Sequence, residues 1–137
     1  YYKIRYMLLI WILVHLCSCH SFEKYNSDWL VYRFERYGID EIHNAGVRNF
    51  AINPENKTCI PMTFDSKDGK KMKVKSCKIE FERIKAKDYM TIFDHDYYKG
   101  KFLIECLDKN CCTISLSNDS LYFVLDYNLP YIFGKPR

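Results

Sequence analysis

The residues able to do chemistry are cysteines, histidines and a few acidic neighbours. Asp94-His95-Asp96 has the residue types of a metal or acid–base cluster. Neighbours on a strand point to alternate faces, so three adjacent side chains do not converge on one ion. The triplet also runs into Tyr97-Tyr98-Lys99-Gly100, a turn signal, and reads as a solvated hairpin end. His43, beside Asp40 and Glu41, reads as a loop residue after the first strand, placed for a polar contact to a ligand. Cys111-Cys112 is not a CxxC pair and no second knuckle has metal spacing, so no metal is expected. Lys67, Lys70, Lys71, Lys73, Lys75 and Lys78 form a basic stretch that could meet an anionic surface. Asp65, Asp68, Glu80 and Glu82 dilute it, which favours a solvated strand face. The sequence shows no Gly-rich phosphate loop, nucleophile elbow or convincing carboxylate pair. The expectation is a protein that is not an enzyme, with no cofactor.

The elements that must position these residues fall in two parts. Lys3 and Arg5 precede an apolar run from Tyr6 to Leu16, followed by small residues at Cys17-Ser18-Cys19. A basic start, an apolar run of about 7–15 residues and small residues before the cut describe a secretory signal. The expected division is a signal peptide over 1–19 and one domain over 20–137, with no membrane contact after cleavage. The opening Tyr1-Tyr2 lacks an initiator Met, so the chain reads as a fragment.

Composition fits a single globular domain: 137 residues, 48% hydrophobic, 28% charged and 17% aromatic. The formal charge is +4, and without Lys3 and Arg5 it falls to +2, with 19 basic against 17 acidic residues. A nearly neutral domain gives no reason to expect a nucleic-acid partner. Export sets an oxidising context in which cysteines pair and cysteine catalysis is disfavoured. After cleavage Cys59, Cys77, Cys106, Cys111 and Cys112 remain. Five is odd, so Cys19 is retained, a partner lies beyond Arg137, or one thiol is free. Two sequons, at Asn56-Lys57-Thr58 and Asn118-Asp119-Ser120, agree with export as glycosylation sites.

The mature chain alternates with period two. Lys71-Met72-Lys73-Val74-Lys75 and Lys78-Ile79-Glu80-Phe81-Glu82 each put charge on one face and apolar groups on the other. Their parity differs, which predicts a bulge or break near Ser76-Cys77. Asn53-Pro54-Glu55-Asn56, Asp68-Gly69 and Ser117-Asn118-Asp119-Ser120 punctuate the runs. The spacing predicts strands over 29–36, 47–52, 58–64, 71–76, 77–84, 89–93, 101–107, 112–116, 121–126 and 131–134. That is an all-β domain, either an antiparallel barrel or a β-sandwich.

Three local patterns resemble the lipocalin family. Phe22 to Phe34, centred on Trp29, is similar to the family's opening strand, with Ser27 where the family has glycine. Leu125-Asp126-Tyr127 resembles its Thr-Asp-Tyr motif, with Leu125 in place of threonine. Tyr131 to Arg137 resembles the strand that ends in the family's arginine. The resemblance implies an up-and-down antiparallel barrel of about eight strands. It implies that Trp29, Asp126, Tyr127 and Arg137 are fold residues, with the Arg137 guanidinium across the Trp29 indole at the closed end. The family's C-terminal helix would follow Arg137, so the chain reads as C-terminally truncated. The family's members bind small lipophiles in the barrel, so the implied role is a secreted carrier of a lipid, retinoid-like molecule, amine or haem. By parity the expected wall of such a cavity is Phe50, Met72, Val74, Ile79, Phe81, Phe102, Ile104 and one face of 121–125, taken as Tyr122 and Val124. Tyr32 and Phe34 share the parity opposite Trp29. The alternative is a disulfide-stapled β-domain, with these residues as solid core, that acts on a protein partner as an inhibitor or immune decoy.

Overall fold

The computed structural model describes residues 2–19, 22–64 and 73–127. Helix α1 (Tyr2–Cys19) covers the apolar start. Among the described residues no helix is long and apolar enough to cross a membrane. A 3-10 helix, Glu23–Tyr25, leads into nine strands: β1 (Ser27–Arg36), β2 (Ile39–Asp40), β3 (Asn49–Asn53), β4 (Thr58–Ile60), β5 (Cys77–Ile84), β6 (Lys87–Ile92), β7 (Gly100–Cys106), β8 (Thr113–Ser117) and β9 (Leu121–Asp126). A second 3-10 helix, Ile42–Asn44, follows β2.

Every neighbouring pair is antiparallel, and β9 pairs back onto β1. Strands β1 and β3 to β9 therefore close an eight-stranded up-and-down barrel, with β2 as a short extra strand on β1. Closure rules out the β-sandwich. It also removes the free sheet edges that an open sheet would expose.

The predicted strands over 29–36, 47–52, 77–84, 89–93, 101–107, 112–116 and 121–126 each match an observed strand within two residues at either end. The strand expected over 58–64 stops at Ile60. Residues 73–76 are not in a strand, so the break foreseen near Ser76-Cys77 is the start of β5. The strand expected over 131–134 lies outside the described residues.

The inward faces form one core. Trp29, Val31 and Phe34 of β1 are all buried, although Phe34 is out of step with the other two. The register against β9 slips between Val31 and Arg33. Tyr32 is the extra residue of a bulge and stands 71% exposed. This explains why Trp29 and Phe34 both point inward despite opposite parity.

The base of the barrel gathers the 3-10 helix Glu23–Tyr25, the β5–β6 turn and the end of β9. Trp29 donates its indole N–H to the Tyr25 carbonyl at 2.9 Å. Its ring meets Tyr127 edge-on, with centroids 5.4 Å apart. Thr113 Oγ1 donates to Asp126 at 2.9 Å, tying β8 to β9 beside it. Trp29 and Tyr127 meet at this end, with Asp126 next to Tyr127 in sequence. Arg137 lies outside the described residues.

Candidate functional site

The interior is dominated by rings. Phe123 of β9 stacks on Phe34 of β1 at 4.8 Å between centroids. It also meets Phe50 of β3 at 5.4 Å, Tyr98 of the β6–β7 loop at 5.6 Å and Phe102 of β7 at 6.2 Å. One side chain touches rings from three other strands and a loop, so Phe123 spans the lumen. An eight-stranded barrel is just wide enough to be filled by side chains or to hold one small ligand. At this height it is filled.

The rim opposite the base is more polar. The β1–β2 turn uses Tyr37 and Gly38, both at positive φ (50° and 77°), and returns the chain toward the mouth. Glu41 donates its backbone N–H to the Phe34 carbonyl at 2.8 Å, which swings its side chain to Arg36. Arg36 Nη2 donates to Glu41 Oε1 at 2.9 Å. The guanidinium lies 5.2 Å from the Phe64 ring centroid and 5.5 Å from that of Tyr97. The other carboxylate oxygen, Glu41 Oε2, is buried with no hydrogen-bond partner among the described residues, and so is the Tyr98 hydroxyl. Burial pushes the Tyr98 hydroxyl well above the usual tyrosine range; the Arg36 charge opposes this and Glu41 adds to it. Among the described residues these two oxygens are the buried side-chain groups left without a hydrogen-bond partner.

Tyr98 is held by the histidine of the acidic triplet. His95 Nδ1 accepts the backbone N–H groups of Tyr97 at 3.0 Å and Tyr98 at 3.1 Å. An acceptor Nδ1 requires the neutral ring with its proton on Nε2. Burial first, and then Lys75, hold the His95 pKa below the ordinary histidine value, against the pull of Asp96 and Asp94. Asp94 Oδ1 accepts the Lys78 backbone N–H at 2.7 Å. The triplet is therefore a loop brace, and among the described residues no group of three metal-ligating side chains is present. Beside it Lys73, Lys75, His95, Asp96 and Tyr97 line an open groove of about 360 Å³. His43 is exposed on the second 3-10 helix, near Glu41 in sequence.

Of the expected cavity wall, Phe50, Ile79, Phe102 and Ile104 are buried and inward. Phe81 is inward but half-buried at the base, stacked on Phe22 at 5.1 Å. With Phe22, Glu23, Pro54, Glu55, Lys57 and Glu80 it lines an open groove of about 510 Å³ at the base. Val74 is 64% exposed, because it precedes β5 instead of lying in a strand. Tyr122 and Val124 lie on the outer face of β9, and Leu121, Phe123 and Leu125 are the buried set. Met72 lies outside the described residues. Glu41 and Tyr98 were not foreseen as a pair. The signal available was a carboxylate and a tyrosine in two different rim loops, and nothing local joins them.

Of the five cysteines expected to take part in disulfides, with one left odd, two are bridged. Cys106 and Cys111 form a disulfide across the β7–β8 turn. Cys59, Cys77 and Cys112 are thiols, the first two buried and the third exposed. Cys111 pairs within its own turn, and the adjacent Cys112 does not pair with it. Asn56 is exposed in the β3–β4 turn and Asn118 is half-buried in the β8–β9 turn. No protein family, curated protein or solved structure matches this chain.

Proposed function

We propose that this is a secreted, lipocalin-like binder of a small, mainly apolar ligand that carries a hydrogen-bond donor. The observation that carries the reading is the pair of buried, unpartnered oxygens at the rim, Glu41 Oε2 and the Tyr98 hydroxyl. Leaving a buried polar group unpaired costs about 1–3 kcal/mol. A ligand N–H or O–H that reached either oxygen would recover that cost. The Phe34, Phe64 and Tyr97 rings nearby offer it an apolar setting. Among lipids, retinoid-like molecules, amines and haem, this chemistry favours an aromatic or aliphatic amine, since a carboxylate partner suits a cation. Because Phe123 fills the lumen, the ligand sits at the rim and not deep in the barrel. The basic, apolar start supports export. No catalytic role is assigned, since His95 already uses Nδ1 to hold the loop.

The test is calorimetry of the purified chain with phenethylamine, its neutral alcohol analogue, a fatty acid and retinol. The reading expects the amine to bind best, with Glu41→Gln and Tyr98→Phe each weakening it about tenfold, the equivalent of one lost hydrogen bond. Absence of binding by all four would overturn it.

A second reading has its own observation. The lumen filled by Phe123 is also what a solid-core domain that binds a protein partner would have. Such a domain would ignore all four compounds.

A further inference from the structure

Strand β4 meets β5 along the shortest seam of the barrel. Only Thr58↔Lys78 and Cys59↔Cys77 oppose each other there. The seam joins the end of β4 at Ile60 to the start of β5 at Cys77. Cys59 and Cys77 are direct cross-strand partners, each 1% exposed. Cys77 Sγ approaches the Lys75 carbonyl at 3.6 Å. Opposed residues of an antiparallel pair have Cα atoms about 4.5–5.5 Å apart. Disulfides span Cα separations of about 4.4–6.8 Å.

We infer that Cys59 and Cys77 form a second disulfide that staples the β4–β5 seam. The reaction is exchange with a disulfide oxidant such as glutathione disulfide. One thiolate attacks a sulfur of the oxidant and releases one thiol. The second thiolate then attacks the mixed disulfide and releases another. Two cysteine thiols are oxidised, one S–S bond forms, and the oxidant is reduced to two thiols. Burial raises both thiol pKa values in the folded barrel, so the thiolate is scarce there. The bond therefore forms while the seam is still open, during folding. Once closed it is shielded from reductants. Cys112, exposed at the far turn, stays free.

The experiment refolds the reduced full chain in a glutathione redox buffer. Free thiols are alkylated under denaturing, non-reducing conditions, and the peptides are mapped by mass spectrometry. The expected map shows Cys59 joined to Cys77, Cys106 joined to Cys111, and alkylated Cys112. A folded protein with Cys106–Cys111 closed but both Cys59 and Cys77 alkylated would overturn the inference. So would a bridge from either of them to Cys112. The wild-type protein alone decides this. The Cys59→Ser, Cys77→Ser double variant adds a second readout: the melting temperature of wild type should drop on strong reduction by more than that of the variant.

Discussion

The hydroxyl of Tyr25 donates a 2.5 Å hydrogen bond to Oδ2 of Asp88, joining residues 63 apart in sequence. Arg83 donates to the same carboxylate from Nε at 2.7 Å and Nη2 at 3.2 Å, and Lys24 Nζ lies 3.8 Å away. The 3-10 helix is thereby fastened to the β5–β6 hairpin, directly beneath Trp29. Burial would raise the Asp88 pKa, but the hydrogen bonds from Arg83 and Tyr25 and the charges of Arg83 and Lys24 outweigh it and hold the carboxyl below its usual range. The stability this gives is present above the unfolded-state pKa of about 3.9 and is lost as pH falls through the lower folded value. Asp88→Asn should flatten the fall in melting temperature in that acid window. Asp88→Ala should cost about 1–3 kcal/mol at neutral pH by leaving the Tyr25 hydroxyl unpaired. An unchanged acid limb in the Asn variant would remove this account.

The same hairpin turns on two residues of positive φ, Lys85 at 51° and Ala86 at 64°. Two-residue hairpin loops of this kind favour Asn-Gly because side chains are strained there. Left-handed backbone costs an L-residue roughly 1–2 kcal/mol. Ala86→Gly should therefore stabilise the protein, by up to about 1 kcal/mol once the flexibility of the unfolded chain is counted. Urea unfolding checks it, with a rise in the midpoint at unchanged slope expected.

Phe123 is the side chain that fills the lumen. Phe123→Ala should cost about 3–5 kcal/mol, since its neighbours come from three strands and a loop and cannot all collapse inward. The variant should also gain affinity for small apolar probes such as benzene or an apolar dye, because the space opened is lined by rings. A variant that loses the stability but binds no probe would show that the barrel closes over the gap.

The alternation made the strands legible, and so the barrel. Lys78, Glu80 and Glu82 alternate with Ile79 and Phe81, and β5 takes those bounds. Leu121-Tyr122-Phe123-Val124-Leu125 is apolar on both faces, so its strand could be read but its inward face could not. The deciding fact, pairing with β1 across a bulge at Tyr32, is long-range. Val74 was misplaced because a real alternation in 71–75 does not continue into a strand at 73–76. The rim pair was invisible for the same reason as the Tyr25–Asp88 link. Glu41 and Tyr98 come to the same rim from loops far apart in sequence, and no spacing rule relates them.

His95 gives the rim its own acid limit. Burial, and then the Lys75 charge, hold its folded pKa below that of the unfolded chain, and in the folded rim Nδ1 accepts the Tyr97 and Tyr98 backbone N–H groups. A free histidine titrates near 6.5. Below that the unfolded chain takes a proton that the folded one refuses, so stability falls as pH drops through about 6.5 toward the lower folded value. His95→Asn, which keeps a side-chain acceptor but does not titrate, should lose this component. Melting temperatures between pH 5 and 7.5 provide the measurement.

The two sequons should behave differently on export from a eukaryotic cell. Asn118 Oδ1 accepts the backbone N–H groups of Ser120 at 3.0 Å and Leu121 at 2.8 Å, and the Ser120 hydroxyl at 3.3 Å. This fixes its side chain in the turn, with Nδ2 over Gly100, 3.8 Å from where a Cβ on that glycine would sit. A glycan on that nitrogen would force the β8–β9 turn off the start of β7. Asn56 is exposed, and its backbone N–H donates to Asn53 Oδ1 at 3.1 Å. Its side chain is free to carry a sugar without disturbing the turn. Enzymatic deglycosylation in heavy-oxygen water, followed by peptide mapping, should mark Asn56 and leave Asn118 unmodified in the folded, secreted protein. Full occupancy at Asn118 in well-folded material would mean that this turn yields more easily than its three hydrogen bonds suggest.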